Sequence, residues 1–248
     1  MTEPSPTLLR FLTELRKRLI ISLIALGIIF GVLFCFANTL YTWLALPLLK
    51  ALPKGHGLIS TTITGPFLVP FEFTFVTALF VAVPFFLYQL WAFVAPALYL
   101  HERRLVWPLL FISIMLFYAG VAFAYFIIFP LLFVFFTRTV PVGVMFSPDI
   151  SHYLDFTLQL FFIFGVIFEV PVITVLVISS GVFSREKLIS LRRYVIVGAF
   201  IIGMLLGPPD VLSQIMLALP LWLLFEVGLF CSVFFEGQTV GRMQKHDS

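Results

Sequence analysis

Charge is scarce in this sequence. Only 11% of its 248 residues are Asp, Glu, Lys or Arg, where soluble domains run nearer 25%. Hydrophobic residues make up 61%, and the mean hydropathy is +1.13. That balance excludes a soluble globular domain and points to an integral membrane protein. Cysteine is nearly absent too. Cys35 and Cys231 stand at the ends of the first and last apolar runs, on opposite membrane faces in the topology derived below. A disulfide framework or thiol metal site is therefore excluded, and both read as small apolar fillers. The four histidines, His56, His101, His152 and His246, are scattered over connectors and the tail, which argues against a metal cluster. H-E-x-x-H, G-x-S-x-G and P-loop patterns are missing. Neither catalysis nor a cofactor is expected, and nothing points to nucleic acid.

What the chain does have is six apolar runs, at about 19–37, 67–92, 106–136, 153–180, 194–207 and 211–230. The first four each reach the length of about 20 residues that a spanning helix needs. Their apolar residues are continuous rather than alternating, so they read as helices and not as barrel strands. The polar, basic start resembles a secretory leader. The run from Leu19 to Ala37 is too long for a leader's apolar core and has no A-x-A cleavage site, so it reads as a retained helix. Twelve of the fifteen Lys and Arg lie in the N-terminus, the second and fourth connectors and the C-tail. Only Lys50, Lys54 and Arg138 lie in the alternate connectors. The positive-inside rule then places both termini in the cytoplasm. The expected architecture is an all-α membrane domain of six transmembrane helices over residues 1–248, with cytoplasmic ends at about 1–18 and 236–248.

The last two helices are expected to be short. Arg193 and Asp210 bracket sixteen residues, including Pro208 and Pro209, and Asp210 and Glu226 bracket fifteen. Two explanations stay open: flanking charges that snorkel to the interface, or a locally thinned bilayer. Most of the prolines and glycines in the spans fit helix shaping and close packing. Pro171 stands out, because a kink two residues after Glu169 would help set where that carboxylate points.

Among the acids, Glu169 is the informative one. From Phe156 to Ser184 no other residue carries a formal charge. A carboxylate at mid-membrane costs roughly 2.5–3.5 kcal/mol on insertion scales, so an intramembrane acid is a functional candidate. Glu14 and Glu102 belong to the basic face. Their plainer roles are an i,i+4 pair with Arg18 and local charge balance. Their functional role would be a receptor for a guanidinium, which a carboxylate holds through parallel hydrogen bonds. Glu72 and Glu226 read as interfacial anchors. Asp149, Asp155 and Asp210 read as residues at helix N-termini.

Several stretches then resemble one known family. Phe11-Leu12-Thr13-Glu14-Leu15-Arg16-Lys17-Arg18-Leu19 is similar to the N-terminal signature of TatC, the largest subunit of the twin-arginine protein translocase. Trp91-Ala92-Phe93-Val94-Ala95-Pro96-Ala97-Leu98-Tyr99, followed by His101-Glu102-Arg103-Arg104, looks like that family's first cytoplasmic loop. Phe117-Tyr118-Ala119-Gly120 with Phe123-Ala124-Tyr125-Phe126, Phe168-Glu169-Val170-Pro171, and Pro208-Pro209-Asp210-Val211 with Ser213-Gln214 are similar as well. The likeness runs from about Leu8 to Phe235.

The resemblance implies a receptor, in a bacterial inner membrane, for signal peptides with paired arginines. It also implies export of folded proteins driven by the proton-motive force. Glu14 and Glu102 would bind the signal peptide, with Arg16, Arg18 and Phe93 beside them. Glu169, with Pro171, would meet single-helix partners of the TatA and TatB type in an oligomeric, lipid-embedded complex. Pro47, Tyr125, Asp210 and Gln214 match other functionally sensitive positions. Two residues depart from the family pattern. Phe11 stands where His is common, leaving no polar group there, and Gly207 stands where Thr often precedes Pro-Pro-Asp, removing a hydroxyl cap. From a different class, a proton-coupled small-solute transporter would use Glu169 as its carrier. Transporters often show internal repeats and midplane sites. This chain shows one central acid and no detectable repeat. A third reading is a scaffold in which Glu169 only bonds a neighbouring helix.

Overall fold

The computed structural model describes residues 6–37, 39, 65–94, 106–132, 134, 149–179, 183, 185–206 and 211–243. The described elements are helical: α1 (Pro6–Phe34), α2 (Gly65–Val94), α3 (Val106–Phe123) continued by a π-helical turn (Ala124–Ile128), α4 (Ile150–Ile167), α5 (Val170–Ser179), α6 (Arg185–Ser190), α7 (Arg192–Leu206) and α8 (Val211–Met243). Among the described residues, five stretches are long and apolar enough to cross a membrane: Thr13–Phe34, Leu68–Phe93, Trp107–Leu132, Ser151–Ser179 and Gln214–Val233.

The helices group into two compact units, one from residues 1–97 and 140–158, the other from 98–139 and 159–248. In the first unit α1 and α2 pack antiparallel. At one end Arg18 meets Gln89. At the other, Phe30 and Phe34 meet Phe71 edge-on with ring centres 5.4 and 5.9 Å apart. Between them Leu26 seats against Ala78 and Ala82, flanked by Ile29, Leu33 and Phe86. Small residues allow this approach, which in a membrane depends on packing rather than on water exclusion. Asp149 caps α4, its carboxylate accepting from the backbone N–H of Ser151 at 2.8 Å, as its position before the fourth run suggests. Asp155 lies on an exposed face inside that helix rather than at its start.

The second unit is built on a close crossing of α3 and α4. A Cβ on Gly120 would overlap the backbone carbonyl oxygen of Phe164, and one on Gly165 would sit 2.5 Å from the Phe117 ring. Each helix therefore supplies a glycine where the other presents bulk. Phe123 closes the crossing against Phe164 and Phe168, at ring-centre distances of 5.6 and 5.4 Å. On the far side Ile163 and Ile167 join Ala199 of α7 and Ala218 and Leu221 of α8. α8 then crosses α5 at Gly228, where a Cβ would fall 2.9 Å from both Pro171 Cα and Thr174 Cβ.

Pro171 does more than kink its helix. It has no N–H to donate to the Ile167 carbonyl four residues back, and its ring crowds that carbonyl. α4 ends at Ile167 and α5 begins at Val170. Across the break, the Glu169 N–H donates to Val166 three residues back, at 3.0 Å, and the regular ladder resumes with Ile173 N–H donating to the Glu169 carbonyl at 2.9 Å. Two buried hydroxyls are satisfied inside their own helices: Thr157 donates to the Tyr153 carbonyl and Thr174 to Val170, both at 2.8 Å.

The fifth run is short, as its flanking charges suggest. α7 has 15 residues, or about 22 Å at 1.5 Å per residue. The expectation of a short sixth helix is corrected. α8 runs for 33 residues, and its apolar stretch, Gln214–Val233, covers 20. The physical reason is at Glu226, whose carboxylate accepts from Arg192 of α7 at 2.6 Å. Paired in this way, the charge sits within the helix instead of ending it.

Candidate functional site

Two places bring together residues that the sequence singles out. The first is the end of the α1–α2 pair. Glu14 and Arg18 are one helical turn apart, so their side chains share a face. Arg18 donates from Nε and Nη2 to the same Glu14 oxygen, Oε1, at 3.2 and 2.7 Å. Its remaining arm, Nη1, donates to Gln89 Oε1 of α2 at 3.1 Å. The pair expected from spacing thus forms, and it is tied across to a second helix. Phe93 is half-buried on α2, four residues beyond Gln89 and on the same face. Arg16 is exposed. Two residues on from Glu14, it belongs to a different face of α1. Glu102 lies outside the described residues.

The second place is the break between α4 and α5. Glu169 is half-buried there, and Ser113 of α3 hydrogen-bonds its carboxylate. The other oxygen, Oε1, is buried and has no hydrogen-bond partner among the described residues. An unsatisfied polar atom in an apolar setting costs free energy comparable to a lost hydrogen bond. The carboxyl group thus meets Ser113 on one side and keeps an unmet hydrogen-bonding demand inside the protein on the other. Pro171 is buried against Gly228, which fixes the start of α5 and with it the position of the acid.

Tyr125 is half-buried on the π-helical turn, edge-on to Phe126 at 4.8 Å and to Phe161 of α4 at 6.0 Å. The extra residue of that turn shows in Phe129, whose N–H donates to the Ala124 carbonyl five residues back. Such turns occur often at functional sites. Gln214 donates from Nε2 to the Phe200 carbonyl at 2.9 Å, and its own backbone lies over Gly203, where a Cβ would meet it at 3.0 Å. Gln214 therefore pins the short α7 to α8. Pro47 and Asp210 lie outside the described residues.

Gln89 and Ser113 escape a reading based on charge, because neither carries any. The available signal is that each is a hydrogen-bonding side chain inside an otherwise apolar stretch, in Leu87-Tyr88-Gln89-Leu90 and Phe111-Ile112-Ser113-Ile114.

Comparison with known proteins agrees over most of the chain. Residues 10–220 match the family model described as Sec-independent protein translocase protein (TatC). The Sec-independent protein translocase protein TatC of Escherichia coli K12 is 51% identical over 240 residues, covering 97% of this chain and 93% of that protein. Its counterpart from Haemophilus influenzae is 50% identical over 234 residues, covering 94% and 91%. A crystal structure described as the twin arginine translocase receptor TatC superposes with a TM-score of 0.80 at 40% identity, covering 90% of this chain and 98% of that one.

Proposed function

The chain belongs to the TatC family of Sec-independent protein translocase proteins, and from that premise we propose that it is the receptor subunit of a twin-arginine translocase in a bacterial inner membrane. The family is one of protein translocation and not of enzymes, and membership leaves the solute-transporter reading without support. In the proposed role, one domain spans the membrane six times with both termini in the cytoplasm. The five long apolar stretches support this, with the short α7 as the remaining span. The Glu14 end of α1 and α2 then faces the cytoplasm, where Glu14, Glu102, Arg16, Arg18 and Phe93 receive a signal peptide with paired arginines. Glu169 and Pro171 receive the single helix of a TatA- or TatB-type partner, and Tyr125, Gln214, Pro47 and Asp210 support the assembly. Folded cargo crosses at the expense of the proton-motive force.

One observation carries the receptor reading. The Glu14 carboxylate is already in guanidinium-binding geometry, because it holds Arg18 through two N–H donors at 3.2 and 2.7 Å. Charge-assisted bonds of this kind are roughly twice as strong as neutral ones and suit Arg better than Lys. The test is photocrosslinking of a paired-arginine signal peptide to the full chain in membrane vesicles. Glu14→Gln combined with Glu102→Gln is expected to lower the crosslink by about tenfold or more, since losing a charged acceptor removes about 1.5–3 kcal/mol. An undiminished crosslink to the folded double variant would remove these two acids from the receptor role.

A further inference from the structure

Gln89 belongs to none of the recognition residues named above, yet it is the one side chain of α2 bonded to Arg18 among the hydrogen bonds described. Its place raises a question about Glu14. A receptor for arginine here has its carboxylate occupied by an arginine of its own. The Arg18 side chain is more buried than its partner, 23% exposed against 38% for Glu14. Part-buried in this way, its guanidinium gives up favourable contacts if it leaves Glu14 without another acceptor, which is costly. The guanidinium is a rigid fork with five donors. Two of them converge on Glu14 Oε1, and one arm reaches Gln89. Glu14 Oε2 takes part in none of these bonds.

We propose that Arg18 is an internal occupant of Glu14, exchanged for the guanidinium of an incoming peptide, and that Gln89 is the acceptor that keeps Arg18 during the exchange. The inference rests on the receptor reading of Glu14. The incoming fork first engages Oε2. Arg18 then gives up its bonds to Oε1 while its Nη1 stays on the Gln89 amide. No proton moves and no charge is created. Gln89 suits this role because its oxygen is neutral. A carboxylate at that position would compete with Glu14 for Arg18 at all times, and an apolar side chain would leave Arg18 no alternative to Glu14. The exchange also adds to specificity, since a ligand must replace a forked, charge-assisted contact with one at least as good. A lysine ammonium, a point charge, does this poorly.

Two charge-neutral substitutions test the idea in membrane vesicles carrying the full chain, with a fluorescent paired-arginine signal peptide as probe. Arg18→Lys keeps the positive charge but cannot bridge Glu14 and Gln89 as a fork, so the internal occupant is weaker. Peptide affinity is expected to rise about three- to tenfold, the scale of one charge-assisted bond partly lost. Gln89→Leu removes the alternative acceptor, and affinity is expected to fall by a similar factor. In the Arg18→Lys background the effect of Gln89→Leu is expected to shrink to within about twofold. If Arg18 instead orients Glu14 for the peptide, Arg18→Lys weakens binding, and that result overturns the exchange. An unchanged affinity in Gln89→Leu overturns it as well, so either variant decides the matter if the other fails to insert. Glu14→Gln separates the two levels of the argument. If it lowers affinity while Arg18→Lys also lowers it, the exchange alone is wrong. If Glu14→Gln leaves affinity unchanged, the receptor reading falls and the exchange falls with it.

Discussion

Export of a folded, paired-arginine precursor is expected to fall about tenfold or more when Glu169 becomes alanine, while binding of the signal peptide at the Glu14 end stays within about twofold. The expectation follows from how the carboxyl group is held. Ser113 bonds one side of it, and the buried Oε1 has no partner among the described residues. That unmet demand is relieved when a local opening of the α4–α5 break lets a partner helix bring a donor to Oε1. Interhelical hydrogen bonds in membranes contribute about 1–2 kcal/mol in model peptides, which corresponds to roughly tenfold in occupancy of a partner. Glu169→Gln keeps hydrogen-bonding capacity at the same length, so it is expected to retain more partner crosslinking than Glu169→Ala. The measurement pairs disulfide crosslinking between a partner helix and a cysteine near residue 169 with an export assay. The bond to Ser113 also gives the scaffold reading a concrete form, in which Glu169 only ties the α4–α5 break to α3. That reading predicts the opposite pattern: Glu169→Ala lowers the amount and thermal stability of the protein, with export per surviving molecule unchanged.

A large structural effect is expected at Gly120. Its missing side chain faces the backbone carbonyl oxygen of Phe164, whereas that of Gly165 faces the Phe117 ring. The difference decides which substitution is repairable. Gly120→Val pushes against backbone, so α3 and α4 must separate. Overpacking of this kind costs about 1–3 kcal/mol or more, which at about 2–4 °C per kcal/mol for a chain of this length is about 2–12 °C in Tm. Trimming Phe168, whose Cγ lies 2.9 Å from the same position, should recover little. Gly165→Ala meets an aromatic side chain, and Phe117→Leu in the same chain should restore most of the loss. Detergent-solubilised protein followed by thermal unfolding checks both. Equal rescue at the two glycines would contradict the crossing described for the second unit.

How much of this was legible in the sequence varies with the kind of signal. The apolar runs gave the helices, because a span must satisfy its backbone internally and so must read as one long hydrophobic stretch. The break beside Glu169 was legible from Pro171, and the short α7 from the charges around it. The length of α8 was not. Glu226 reads as a boundary in one dimension, but Arg192 neutralises it from another helix, and a pairing 34 residues apart leaves no trace in local composition. The same holds at the two sites. Glu14 and Arg18 are one turn apart, so their pairing follows from helix geometry. Gln89 lies 71 residues from Arg18, and Ser113 stands on α3, not on either helix that flanks Glu169. The π-helical turn under Tyr125 also has no simple sequence mark. Family resemblance pointed to Tyr125, Gln214 and the acids, but their physical settings came from the three-dimensional arrangement.

The central claim is that the Glu14 end of the chain recognises guanidinium groups and not merely positive charge. Its most direct measurement compares the affinity of one signal peptide carrying paired arginines with that of the same peptide carrying paired lysines, in vesicles containing the full chain. The arginine form is expected to bind about tenfold tighter or more, the scale of the parallel bonds an ammonium cannot make. That preference should collapse in the Glu14→Gln, Glu102→Gln variant. Equal affinities for the two peptides, or a preference that survives in the double variant, would contradict the account.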